Sequence, residues 1–189
     1  YIDPYFGEYE DKADIILISH SHHDHQNMEK INLISTDNTI IISSKEVAST
    51  IHGAKPLLPG QSEIIGEIAV EAVEAYNINK EFHPKGFGVG FIITSEGKRI
   101  YFSGDTDKIP EMKSYDADVA LLPVGGTYTM TSSEAAEAIK EIKPKFAIPM
   151  HFASGVVGTI EDAELFKEKV ELETETKVTI LKHGESFKV

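Results

Sequence analysis

Short apolar runs that stop abruptly at polar residues set the strongest constraint on how this chain can fold. "ADIILIS" (Ala13 to Ser19), "TIIIS" (Thr39 to Ser43), "VGFIITS" (Val89 to Ser95), "RIYFSG" (Arg99 to Gly104), "DVALLP" (Asp118 to Pro123), "FAIPM" (Phe146 to Met150) and "KVTIL" (Lys177 to Leu181) have strand length and strand composition. Several are apolar at every position, which suits strands covered on both faces rather than one. "EIAVEAVEA" (Glu67 to Ala75) alternates instead and is read as a further strand, with Val73 shifting the phase. "SEGKR", between two runs, has the composition of a hairpin turn.

Helical signals come later in the chain. In "TSSEAAEAIKEIKP", Thr131 and Glu134 form a capping box, Ala135, Ile139 and Ile142 share a face, and Pro144 stops the helix. In "TIEDAELFKEKVELE", Thr159 serves as N-cap and Ala163, Phe166 and Val170 lie on one stripe. A short helix is expected over Lys45 to Ile51. Early strands followed by alternating strands and helices predict a layered α/β architecture, with residues 1–189 forming one domain. The chain opens at "YIDPYFG", which reads as the end of a strand, so first strands ahead of Tyr1 are expected to be missing.

The polar residues of interest follow strands. "HSHHDH" follows "IILIS", "GDTD" follows "RIYFS", and His151 follows "FAIPM", an arrangement that can bring them to one rim of a sheet. His20 and His22, two apart on an extended chain, point to the same side and can grip one cation, whereas Asp24 and His25 on the following turn can reach a second. His23 then points away. A lone histidine would ordinarily be structural, but this cluster beside an apolar strand would repel itself when protonated. The remaining histidines have plainer roles: His52 sits at a helix end, and His183 precedes a turn between closing strands.

Composition narrows the chemistry. With Cys 0 there is no disulfide, no thiolate nucleophile and no thiolate ligand, so a cation must be held by imidazole or oxygen. The absence of cysteine fits a reducing cytoplasm. Lys+Arg 18 against Asp+Glu 31 gives a net charge of −13, which argues against nucleic acid or an anionic membrane as partner and leaves a small molecule. No run approaches the ~20 apolar residues of a spanning helix.

The HxHxDH spacing of His20, His22, Asp24 and His25 resembles that of the metallo-β-lactamase superfamily, and "FSGDTD", "IPMHF" and "IDPYFG" resemble further motifs of the family in the family's order. The last of these is similar to its lactonase-like and phospholipase-like branches. The resemblance implies a four-layer αββα sandwich. It implies that His20 and His22 bind a first metal, that Asp24, His25 and His151 bind a second, and that Asp105 bridges them. The family's usual histidine after these motifs is replaced by Asn77 in "VEAVEAYN", with His83 in "NKEFHPKG" as the nearest substitute.

Such a centre would carry zinc first, with Mn²⁺, Fe²⁺ or Ni²⁺ as alternatives. It would hydrolyse a small ester, lactone or phosphoester by metal-bound hydroxide, with Asp24 and Asp105 as the catalytic carboxylates. Asp24 could orient the nucleophile or take its proton. If neither Asn77 nor His83 serves as ligand, the alternative is a metal-binding protein with little hydrolytic activity. Two further segments are candidate substrate contacts: "PVGGTYTMTSSE", either an anion-binding loop or a tight turn with Thr127, Tyr128 and Thr129 near the rim, and "HPKGFGVG", a flap with Lys85 as anion anchor. Oligomeric state is not legible in the sequence.

Overall fold

A computed structural model describes residues 1–189. A parallel sheet of three strands contains β1 (Ile15–Ile18), β2 (Ile40–Ser43) and β3 (Lys55–Pro56), in that order. A mixed seven-stranded sheet contains β4 (Ser62–Ile65), β5 (Ile68–Ala75), β6 (Gly88–Ser95), β7 (Lys98–Phe102), β8 (Val119–Pro123), β9 (Phe146–Met150) and β10 (Lys177–Val178). Their spatial order follows the chain, antiparallel from β4 to β7 and parallel from β7 to β10. The helices are α1 (Met28–Ile34), α2 (Lys45–Ala48), α3 (Ser132–Ile142) and α4 (Ile160–Glu173), with a 3₁₀ turn at Pro110–Ser114.

The reason "IILI" is apolar throughout is now visible. Ile16 and Ile18 pack outward with Ile31, Ile34 and Val47 of α1 and α2. Leu17, pointing the other way, joins Val70, Ala72, Phe91 and Phe102 between the two sheets. On the far side of the large sheet, Tyr101, Ala120 and Leu122 meet Ala135, Ile139, Phe166 and Val170 of α3 and α4. Helices, sheet, sheet, helices: this is the four-layer αββα sandwich. Burial of these side chains contributes roughly 1.5–3 kcal/mol each before chain entropy is set against it.

Local chemistry fixes the element ends. Thr131 accepts from the Glu134 N–H while the Glu134 carboxylate accepts from the Thr131 N–H at 2.8 Å, closing the expected capping box. Before α4, the Asp162 carboxylate accepts from the Thr159 N–H at 2.8 Å. Glu96 and Gly97, with φ of 51° and 74°, make the two-residue turn between β6 and β7.

Three expectations need correction. The expected helix at Lys45 to Ile51 is confined to Lys45–Ala48, because the Ser49 and Thr50 hydroxyls bond back to the Glu46 and Val47 carbonyls and the chain turns. The strand expected over Lys177 to Leu181 stops at Val178. Residues 145 and 147 of the β9 segment address that edge, and the next to do so, Pro149, has no N–H to continue the ladder. No strand follows Val178, so His183 lies in an exposed turn beside the Phe6 ring, not between two strands. α1 was not anticipated, although Asn27 caps it by accepting from the Glu29 and Lys30 N–H groups.

Candidate metal centre

β1 ends against the first residues of β6, and the polar cluster begins where that apolar packing stops. Val89 N–H donates to the Ser19 carbonyl at 3.0 Å, and a Cβ on Gly88 would lie 3.0 Å from His20 Cβ. Glycine is what lets the two segments approach. Beyond His20 the chain turns, with the His25 and Gln26 N–H groups both donating to the His22 carbonyl. That turn sends His23 outward, 81% exposed, and returns Asp24 and His25 to the interior.

His20, His22 and His83 form one group. The Nε2 atoms of His20 and His83 each lie 3.1 Å from Nδ1 of His22. Hydrogen bonding on the far sides of the rings fixes which nitrogens are bare. Ser19 Oγ gives its proton to Asp3 Oδ2 at 2.6 Å and so accepts from His20 Nδ1 at 2.9 Å. Asn77 Oδ1 accepts from His83 Nδ1 at 3.1 Å and from the His83 backbone N–H at 2.9 Å. The inward-facing Nε2 atoms of His20 and His83 are therefore lone-pair donors. A tetrahedral ion with bonds of ~2.0–2.1 Å would space such donors about 3.3 Å apart.

Asp24, His25 and His151 form a second group. His151 Nε2 lies 3.4 Å from Asp24 Oδ2, and His25 Nε2 lies 3.6 Å from the same oxygen. Asp105, from the end of β7, faces both groups: its carboxylate is 3.4 Å from His83 Nε2, 3.4 Å from His25 Nε2 and 3.3 Å from His151 Nε2. Inside the protein, His25 Nε2 and Asp105 Oδ1 are buried without a hydrogen-bond partner. Buried, unpartnered and mutually facing donors are costly unless a cation satisfies them. Nitrogen and oxygen donors in these positions fit a divalent ion.

Electrostatics distinguish the two groups. Burial alone would raise the Asp105 carboxyl, but the facing charge of His25, with those of His151 and His20, holds it well below the usual carboxylate range. Asp24 is likewise opposed by burial, yet the His151 hydrogen bond and His25 bring it down to about 2. Burial pushes His20 and His83 toward the neutral, ligating form. Against the same burial, the Asp105 and Asp3 carboxylates draw His25 upward, and the Asp24 hydrogen bond and the Asp105 charge draw His151 upward.

Of the supporting residues, Asp3 lay outside the sequence reading, and Asn77 was weighed there only as a ligand. Asp3 accepts from Ser19 N–H at 2.7 Å and from His25 Nδ1 at 2.8 Å, orienting that ring. Its signal was the "IDPYFG" segment, in which no residue had been singled out. Asn77 is not itself among the facing groups. It holds His83 there, its own amide fixed by donation to Asp107 and to the Tyr128 carbonyl. His83 thus stands beside His20 and His22, where the sequence left a gap.

Other expectations fare differently. The glycines of "PVGG" make a tight turn, with Gly126 N–H donating to the Met130 carbonyl and Gly125 packed 2.6 Å, at its would-be Cβ, from the His151 carbonyl. That close approach supports His151, which adopts a left-handed φ of 56°. Of the loop residues, Tyr128 lines the cleft, while Thr127 is exposed and Thr129 buried. Lys85 is no anion anchor: it pairs with Glu111 at 3.0 Å and Glu74 at 3.4 Å. His52 is exposed in the turn after α2.

A cavity of about 230 Å³ opens onto the cluster. His22, His23, His83, Asp24, Asp105 and His151 contribute its polar surface, so His23, although exposed, does not point away from the cleft; Phe82, Tyr128 and Val156 form its apolar wall. A larger groove of about 750 Å³ beside Lys143–Phe146 holds none of these groups, so volume does not mark the site.

Comparison with known proteins points the same way. The profile of the beta-lactamase superfamily domain matches residues 1–151. A UPF0173 metal-dependent hydrolase of Pelotomaculum thermopropionicum is 35% identical, aligned over 94% of this chain and 83% of its own. The crystal structure of a protein from Parabacteroides distasonis, assigned as a metal-dependent hydrolase, has a TM-score of 0.86 at 36% identity and covers 95% of this chain and 82% of that one. Igni18, a metallo hydrolase from Ignicoccus hospitalis, has a TM-score of 0.76 at 27% identity, covering 94% and 81%.

Proposed function

This chain belongs to the beta-lactamase superfamily, and on that premise we propose that it is a metal-dependent hydrolase of a small ester, lactone or phosphoester. The observation that carries the reading is the convergence of His20, His22 and His83 with Asp24, His25 and His151 about the shared carboxylate of Asp105. His20, His22 and His83 would hold one cation, Asp24, His25 and His151 a second, and Asp105 both. Imidazole-rich donors without thiolate favour zinc. When bound, the cation supplies Lewis acidity, making water nucleophilic near neutral pH and polarising the oxygen of the bond under attack.

The chain's own groups divide the remaining work. Asp105 is buried and ionised, so it supplies fixed negative charge between the two groups. Asp24 also lines the cleft, where its carboxylate can accept a hydrogen bond from the attacking water and aim it. With its carboxyl held at about 2 it is ionised near neutral pH, and orienting that water or taking its proton is the work open to it. Asp3, Ser19 and Asn77 hold the rings of His25, His20 and His83.

The test is removal and restoration. Stripping the protein with a chelator should abolish turnover of generic esters and phosphodiesters, and added zinc, manganese or iron should restore it. Asp105→Ala should stay inactive after the same additions. Tight cation binding with no turnover of any probe would point instead to a binding protein.

A further inference from the structure

Resting on the hydrolase reading, we propose that the substrate is an uncharged carbonyl ester or lactone whose apolar or aromatic group packs on Phe82 and Tyr128, and that a phosphoryl compound is not the natural substrate. The first observation is the wall of the cleft. The Phe82 and Tyr128 rings meet edge to face, 4.7 Å between centroids, and Val156 lines the same side. Phe82 is 46% exposed, so this pair keeps apolar surface open to a ligand beside the reacting groups. Tyr128 is held in place from behind, since its carbonyl accepts from Asn77 Nδ2 at 2.9 Å.

The second observation is the charge around the cleft. Many sites for phosphoryl groups add Arg or Lys to the metal ions that clamp the oxygens. Neither residue type lines this cavity. The adjoining cavity of about 220 Å³, which shares Asp24 and His151, has Tyr5, Phe6, Phe102 and Met150 in its wall and again no Lys or Arg. Two lysines near the rim in sequence are already engaged. Lys80 is bound to the Asp107 carboxylate and to the Thr129 carbonyl, and Lys85 to Glu111 and Glu74 while covering the Tyr76 ring.

The reaction is balanced by water alone. Its oxygen bonds to the acyl carbon, the acyl C–O bond breaks, and the products are a carboxylic acid and an alcohol, joined in one molecule when the substrate is a lactone. Phe82 and Tyr128 act on binding, so their removal should weaken substrate capture more than the chemical step.

Three probes with one leaving group test this on the zinc-loaded protein: 4-nitrophenyl butyrate, bis(4-nitrophenyl) phosphate and 4-nitrophenyl phosphate. Each rate is divided by that of the same zinc concentration without protein. The ester should show the largest enhancement, and Phe82→Ala and Tyr128→Ala should each raise its KM by about tenfold with kcat within about threefold. In parallel, the non-hydrolysable ketone 4-nitroacetophenone should shift the Tyr128 ring resonances by NMR, and Phe82→Ala should abolish that shift. A larger enhancement for either phosphoryl probe overturns the substrate class while the hydrolase reading stands. An unchanged KM in both variants, or no ketone shift, overturns the aromatic site. Failure of all three probes to turn over rejects the hydrolase reading and this inference with it.

Discussion

Asn77 shows how much one side chain outside the facing groups can decide. Its amide oxygen takes the His83 Nδ1 proton and its amide nitrogen is anchored on Asp107 and Tyr128. Asn77→Ala should therefore lower affinity at the His20, His22 and His83 group by roughly 10- to 100-fold, while leaving that of the Asp24, His25 and His151 group within about threefold. Zinc titration against a chromophoric chelator would read both. Tyr101 makes the opposite case. Its hydroxyl is fully buried without a partner. Tyr101→Phe should leave urea stability unchanged or raise it by up to about 1 kcal/mol, because no hydrogen bond is lost. At this scale the sequence was informative where donors were adjacent, as in His20 to His25. It was silent on Asp3 and ambiguous at His83, whose places depend on contacts from distant segments.

At the scale of elements, glycines and caps set how strands deliver these groups. A Cβ on Gly125 would lie 2.6 Å from the His151 carbonyl oxygen, and a Cβ on Gly158 would lie 2.6 Å from Gly125 Cα. Gly125→Ala should displace His151, lowering both thermal stability and affinity at the group that contains it; calorimetry with and without zinc separates the two effects. Thr131→Ala removes the acceptor side of the α3 capping box and should cost about 1 kcal/mol in urea denaturation, without altering cation stoichiometry. β5 to β9 were legible because β-rich apolar runs are interrupted by turn residues, whereas β3 and β4 were not anticipated. α1 was not, because its signal is short and follows a histidine cluster that reads first as chemistry. β10 was overextended because a proline on the neighbouring strand, not its own sequence, ends the pairing.

For the whole molecule, the architecture followed from two-sided burial: strands apolar on both faces require layers on both faces, and here helices and a second sheet supply them. No helix is long and apolar enough to cross a membrane. Because the cluster joins the ends of β1, β7 and β9 with a loop after β5, a cation that satisfies it ties both sheets together. A free cation at 100 times its Kd should stabilise the fold by about 2.7 kcal/mol, raising Tm, and chelation should reverse the rise. The most direct measurement is metal stoichiometry by elemental analysis after equilibrium dialysis, comparing the unaltered chain with His22→Ala, His151→Ala and Asp105→Ala. The account predicts two divalent ions per chain, one lost with either histidine and both weakened with Asp105. Retention of no ion by the unaltered chain, or equal retention by all four proteins, would contradict it.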